Sequence, residues 1–429
     1  MLEQLFKLSE NKTTVRTEVI AGITTFLTMA YIIFVNPAIL ADAGMDRGAV
    51  FVATCIAAAI GCFIMGFVAN YPVAQAPGMG LNAFFTYAVV LGMGHTWQVA
   101  LAAVFCSGVL FVLLSIFKVR EWIINSIPMS LRTGIAAGIG LFLGFIALKN
   151  AGVVVDNPAT FVSLGDVTSL PVILAAVGFI ITVALAHRQV TGGVMIAILG
   201  VTALGFIAGD VAWGGIISAP PSIAPTFMQL DFSAVFEIGM ISVVFAFLFV
   251  DLFDTAGTLV GVAQKADMID ENGKIPRLNR ALLADSTATT VGAVLGTSNT
   301  TSYIESVSGV AAGGRTGLTA VVVGVLFLLA TFFSPLAGMV PAYATAGALF
   351  YVAVLMLSGL KNIEWDDITE AAPVVVTCVM MPLTFSIAEG ITLGFITYAA
   401  IKAASGKASD VSLSVWIMSA IFIAKFAFA

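Results

Sequence analysis

Three acidic residues stand inside apolar runs of this 429-residue chain. Asp251 and Asp254 occupy the run FAFLFVDLFDTAGTLVG, three residues apart and therefore on one face of a helix, with Thr255 four beyond Asp251. Glu305 follows six consecutive hydrogen-bonding residues, Thr297, Ser298, Asn299, Thr300, Thr301 and Ser302, and then Tyr303 and Ile304. A carboxylate at the centre of a bilayer costs about 2.5–3.5 kcal/mol on insertion scales, so its retention there points to binding of a substrate or a proton. Such a group can accept two N–H bonds side by side. The structural alternative, an acid bonded only to neighbouring hydroxyls and backbone, stays open for Asp251 and for Asp254. Asp285 and Glu237 fall near the ends of apolar runs and are expected in water. Glu389 opens an apolar run and reads as a partner for a helix N-terminus. His95 and His187 read as interface or loop residues.

These acids need elements to hold them, and the composition says what kind. Hydrophobic residues make up 60% of the chain and charged residues only 10%, against about 45–50% and about 25% in soluble domains, and the mean hydropathy is +1.07. A soluble core stops growing near 250–300 residues, so lipid is the solvent that a single unit of this length requires. Cys55, Cys62, Cys106 and Cys378 show no C-x-x-C pairing and the histidines stand apart, which excludes a zinc site or a disulfide framework; no metal or cofactor is expected. There is no basic patch for nucleic acid. The first 17 residues are too polar for a signal peptide and read as a cytoplasmic tail.

Apolar stretches of membrane-crossing length recur near 18–40, 48–70, 78–93, 98–117, 131–149, 170–187 and 191–209, then near 238–263, 281–296, 302–313, 317–334, 343–360, 371–387 and 389–404, with a further stretch at 412–427. This predicts an all-α polytopic membrane protein of about fourteen spans: a tail at 1–17, a seven-span repeat at 18–209, an extracytoplasmic linker at 210–237, a second repeat at 238–404 and a C-terminal segment at 405–429. With the N-terminus inside, the cytoplasmic segments collect most of the basic residues, among them Lys118, Arg120, Arg188, Lys265, Lys274 and Lys407, as the positive-inside rule requires. Seven is odd, so the second half enters from the opposite face. That is the condition for an inverted repeat.

The third span of each half is interrupted. In QAPGMGLNAFF (75–85), Pro77, Gly78 and Gly80 oppose a continuous helix; in GTSNTTSYIESVSG (296–309), the Ser/Thr/Asn run favours extended backbone. Paired breaks at matching positions point to a transporter's central site. Asn82, just past the first break, is placed to hold a polar edge of the substrate, and Phe84, Phe85 and Tyr303 are candidate stacking groups.

The run VDLFDTAGTLVGVAQKADMIDENGKIPRLNRALLADSTATTVGAVLGTSNTTSYIESVSGVAAGGRTGL, with APGMGLNAFF upstream, closely resembles the adenine/guanine/hypoxanthine permease branch of the nucleobase cation symporter family, and the likeness extends over nearly the whole chain. The resemblance implies two inverted seven-span repeats. The first four spans of each form a core domain and the last three a gate, often in a homodimer, with short extended segments of spans 3 and 10 meeting near the midplane. It implies proton-coupled import of a purine (guanine or hypoxanthine, with adenine and xanthine also candidates) across the cytoplasmic membrane by alternating access. Purine binding carries over to Glu305 and to Asp251 or Asp254, and Asn82 matches the polar position of span 3. The candidate binding set is thus Glu305, Asp251, Asp254, Asn82, Phe84, Tyr303, Ile304, Ser302 and Gly80, with Asp251, Asp254 and Glu305 also the candidate proton carriers. The uracil branch has a Glu with a His four residues on; here Thr255 follows Asp251, so no histidine relay exists.

The competing classes lack their residues. An anion carrier of the same architecture would avoid a carboxylate such as Glu305 beside its ligand; a pyrimidine carrier remains a close alternative. An intramembrane hydrolase needs a nucleophile–base pair or H-E-x-x-H, and neither is present.

Overall fold

The computed structural model describes residues 2–116, 127–269 and 275–428. The basic residues Lys118, Arg120 and Lys274 lie outside them. Each expected span contains helix. Span 1 runs through Val15–Met29 and Ile32–Asp42, span 2 through Arg47–Ile64 and a wide π turn at Met65–Ala69, and span 4 is Trp97–Ile116. Spans 5, 6 and 7 are Met129–Asn150, Leu170–His187 and Gly193–Ile207; spans 8 and 9 are Ile238–Lys265 and Leu278–Leu295. Spans 11 to 14 begin with the helices Gly317–Ala330, Ala342–Leu357, Ile368–Leu383 and Ile387–Ala404, and Leu413–Phe428 is a further helix whose Ser419 hydroxyl donates to the Phe395 carbonyl of span 14 at 3.0 Å.

Spans 3 and 10 are the broken ones. Span 3 starts as strand β1 (Gln75–Pro77) and turns into the helices Met79–Ala83 and Phe84–Gly92. Strands β2 (Val154–Asn157) and β3 (Phe161–Leu164) form a hairpin between spans 5 and 6 that sequence periodicity did not suggest. Span 10 starts as β4 (Thr300–Ser302) and continues as the short helix Ser306–Ala311. Among the described residues nine helices are long and apolar enough to cross a membrane; spans 3, 7 and 13 are shorter apolar helices. Span 9 is not among the apolar ones because it carries Asp285, Ser286 and Thr289 into the interior.

The helices sort into two packed bodies. Spans 1 to 4 and 8 to 11 pack on one another, with span 9 against spans 2 and 4 and span 11 against spans 1 and 2; spans 5 to 7 pack against spans 12 to 14. The first body is the core and the second the gate. Two devices tie the core together. The fully buried Glu18 of span 1 accepts the backbone N–H groups of Arg315 (2.8 Å), Thr316 (3.3 Å) and Thr319 (3.2 Å) and the Thr319 hydroxyl (2.6 Å), placing a carboxylate on the N-terminus of span 11. At the same end, spans 2 and 11 touch backbone to backbone at Gly66 and Gly317, where a Cβ on Gly317 would lie 2.0 Å from the Gly66 carbonyl oxygen.

Candidate functional site

Backbone freed by two broken helices inside a membrane must find partners within the protein. Here each break supplies the other. β1 and β4 pair antiparallel with Gln75 opposite Ser302, Ala76 opposite Thr301 and Pro77 opposite Thr300. The ladder is extended by Gly78 N–H to the Asn299 carbonyl (2.8 Å) and Tyr303 N–H to the Ala74 carbonyl (2.9 Å). Proline is tolerated because the pair has only two strands, leaving its missing donor on an edge. All six strand residues are buried.

Beside this ribbon lies a cavity of about 110 Å³ between core and gate, room for a small planar molecule where a single water needs roughly 10–15 Å³. Of the residues singled out in the sequence, Gly80, Asp254, Ser302, Tyr303, Ile304 and Glu305 line it, and Ile139 of span 5 faces them from the gate. Glu305 accepts the Tyr31 hydroxyl on Oε1 at 2.5 Å, which fixes its direction and leaves Oε2 for a ligand. Among the described residues Asp254 accepts one bond, a long one of 3.4 Å from the Thr301 hydroxyl, and it is exposed. Tyr303 donates to the Pro77 carbonyl at 2.5 Å, locking its ring against the strand crossing.

The structure does not bring the remaining candidates to the cleft. Asp251 is 1% exposed behind Asp254, accepting from Thr289 Oγ1 (2.9 Å) and Asn299 Nδ2 (3.0 Å). Asn82 donates to Asn36 Oδ1 at 2.9 Å, and Asn36 in turn donates to Thr54 (2.7 Å) and Thr297 (2.8 Å), a polar knot joining spans 1, 2, 3 and the approach to span 10. Phe84 and Phe85 are fully buried, and Phe84 meets Phe247 edge to face at 5.0 Å, so its ring face is taken by the core.

One expectation is overturned. Asp285 is not in water: it is fully buried, accepting from Thr255 Oγ1 (2.8 Å), Ser302 Oγ (2.9 Å) and Gln75 Nε2 (3.1 Å). Span 9 begins at Leu278, so Asp285 lies about 10 Å along the helix rather than at its mouth. Glu237, by contrast, is exposed, and Glu389 sits in the first turn of span 14. Sequence reasoning also passed over Tyr31, Asn36 and Gln75; the recoverable signal was a polar side chain within an otherwise apolar run.

Core and gate also meet at the end of the cleft near Tyr87 of span 3. The Tyr87 hydroxyl donates to Asp42 Oδ2 (2.6 Å) and accepts from Asn150 Nδ2 of span 5 (3.0 Å), with its ring edge-on to Phe385 at 6.1 Å. Gly80 is the closest approach in mid-cleft: a Cβ there would lie 2.6 Å from Ile139 Cγ2. Gly80→Val is therefore expected to lower the initial uptake rate about tenfold or more, by wedging core from gate at an overpacking cost of about 1–3 kcal/mol. Uptake per unit of immunodetected protein measures this, and an unchanged rate would refute it.

Two sets of spans, each with its third span broken into a strand that pairs with the other, and a cleft between two packed bodies together define a multi-pass membrane transporter of the core-and-gate type. Residues 16–393 match the model of the Permease family, the nucleobase/ascorbate transporters, and the chain belongs to that family; it is a transporter and not an enzyme. It is similar to the adenine permease AdeP of Escherichia coli (strain K12), 55% identical over 428 residues covering 100% of this chain and 96% of that protein. It is also 49% identical over 439 residues to the guanine/hypoxanthine permease PbuG of Bacillus subtilis (strain 168), covering 100% of both. Among solved structures it resembles the transmembrane domain of a cyanobacterium bicarbonate transporter, BicA (TM-score 0.64, 16% identity, 88% of this chain and 96% of that one). The murine anion transporter Slc26a9 is similar at TM-score 0.65 and 10% identity, over 92% of this chain and 69% of that one. At such identities these two establish the fold alone.

Proposed function

We propose that this protein imports purine nucleobases, adenine and guanine or hypoxanthine among them, together with protons across the cytoplasmic membrane, with its N-terminus in the cytoplasm and with access alternating as core moves against gate. The observation that carries the reading is the pair of acids in the cleft. Glu305, aimed by Tyr31, and Asp254, nearly free of protein partners, offer acceptor oxygens to a flat ligand seated beside Tyr303. Two ionised acids bind the N1–H and exocyclic amine of guanine; one acid carrying a proton also donates, which suits the ring nitrogens of adenine. The names of the AdeP and PbuG relatives support the purine class.

The anion specificity of proteins with the same fold is disfavoured here because two carboxylates line the cleft and among the described residues no Lys or Arg does. Competition tests the reading. Unlabelled adenine, guanine and hypoxanthine are expected to displace labelled adenine or hypoxanthine from cells expressing the chain, whereas uracil, sulfate and bicarbonate are not. Displacement by uracil alone, or by an inorganic anion alone, would replace the purine reading with another.

A further inference from the structure

Behind the cleft, spans 8 and 9 clasp each other by a reciprocal pattern. On span 8, Asp251 and Thr255 are four apart; on span 9, Asp285 and Thr289 are four apart. The Thr255 hydroxyl donates to Asp285 Oδ1 at 2.8 Å, and the Thr289 hydroxyl donates to Asp251 Oδ2 at 2.9 Å. Each acid is thus held by the hydroxyl one turn beyond the other, which makes the two carboxyl groups neighbours at the interface of spans 8 and 9.

The remaining donors go to the same two oxygens. Asn299 Nδ2 reaches Asp251 Oδ2 at 3.0 Å; Ser302 Oγ and Gln75 Nε2 reach Asp285 Oδ1 at 2.9 Å and 3.1 Å. Asp251 Oδ1 and Asp285 Oδ2 are buried and have no partner among the described residues. Nor does a cation answer them: the described ion pairs involve Lys7, Lys402 and Lys407 only.

The surrounding elements bring no positive charge. Span 8 itself adds Asp254, one turn on, span 10 adds Glu305 and Tyr303, span 2 brings the Cys62 thiol against the Gln75 backbone, and span 4 brings the Ser107 hydroxyl toward Asn299. Spans 5 and 14, which touch span 8 from the gate, carry their charges near their ends, Arg132 and Lys149 on one and Glu389 and Lys402 on the other. Two neighbouring buried carboxylates, each with a bare oxygen and no counter-charge, cannot both be ionised at tolerable cost, whereas one proton held by the pair removes one of the two charges.

We propose that Asp251 and Asp285 form a proton-binding pair distinct from the base-binding acids of the cleft, and that the coupled proton travels on this pair. The proton would come from water on the outer side and leave to water on the inner side, no other group being altered. The connection to the base is built in: Gln75 lies on β1 and Ser302 on β4, and Asn299 precedes β4, so the strands that place Tyr303 and Glu305 hang from the two acids whose charge state changes. This rests on the purine–proton symport reading above.

The experiment uses the full-length protein in proteoliposomes with an imposed pH gradient. Asp285→Asn is expected to bind adenine as the wild type does and to exchange external for internal labelled adenine, while its accumulation ratio falls to one and adenine entry moves no protons. Accumulation by Asp285→Asn at the wild-type ratio, or wild-type accumulation that follows a sodium gradient rather than a pH gradient, would overturn the proposal. Infrared spectroscopy of the protein without purine gives a readout independent of the substrate. A protonated-carboxyl band is expected in the wild type at neutral pH, shifted by Thr255→Val, which removes one hydroxyl and no charge, and unmoved by Glu305→Gln. No such band, or one unmoved by Thr255→Val, refutes the proposal even if Asp285→Asn does not fold. A wild type that has the band but binds no purine would sink the symport reading and leave the pair intact.

Discussion

Glu305→Gln is expected to weaken purine binding by about 30-fold to about 5,000-fold, the equivalent of about 2–5 kcal/mol for losing one partner of a buried charge-assisted contact. The substitution is nearly isosteric, and the Tyr31 hydroxyl that bonds Glu305 Oε1 at 2.5 Å can donate equally to an amide oxygen, so the cleft keeps its shape. What changes is the group turned toward the ligand: an NH2 donor replaces an acceptor and meets the donors of the base. The effect should therefore appear in the dissociation constant and leave the melting temperature close to that of the wild type. Equilibrium binding of labelled adenine and hypoxanthine to the purified variant decides the matter; affinity within a factor of two of the wild type would remove Glu305 from the site.

Gly317→Val is expected to abolish folding altogether. The added Cβ would lie 2.0 Å from the Gly66 carbonyl oxygen and 2.7 Å from Gly66 Cα, and backbone of a packed helix cannot rotate aside as a side chain can. Overpacking usually costs about 1–3 kcal/mol where side chains can adjust, so a clash with backbone exceeds that. Separating spans 2 and 11 also breaks the 2.7 Å bond from Gly317 N–H to Asn70 Oδ1 and pulls span 11 off the Glu18 carboxylate. Gly200→Ala, where nothing lies within 4 Å of the new atom, serves as the matched control. The readout is the yield of monodisperse detergent-solubilised protein. A Gly317→Val chain recovered at the yield and melting temperature of Gly200→Ala would show that the two spans can part without penalty.

The span pattern and the two breaks were legible because lipid writes long, coarse signals: a helix must be apolar for about 20 residues, and interruption by Pro77 or by a run of six polar residues stands out against that. The acids of the cleft were legible for the same reason. What the sequence concealed is direction. Asp251 and Asp254 share a helix face at the resolution of helical periodicity, yet one opens on the cleft and the other faces span 9, because the choice is made by Thr289 and Asn299, 38 and 48 residues downstream. Asp285 looks like an end residue in the sequence because the Ser and Thr residues of span 9 dilute its apolar signal and move its apparent start by three residues, from Leu278 to 281. Phe84 and Phe85 are stacking candidates by residue type alone, but packing against Phe247 claims the ring of Phe84.

The ribbon made by β1 and β4 has a bearing on how the chain is made. Gln75 and Ser302 are separated by 227 residues, so at a synthesis rate of roughly 5–20 residues per second the first strand waits roughly 10–45 s for its partner to leave the ribosome. During that interval the bare N–H and C=O groups of span 3 cannot rest in lipid. Newly made span 3 must therefore linger in the insertion machinery, at the headgroup boundary or beside water until span 10 arrives, and the binding site comes into being only once the second half of the core is being made.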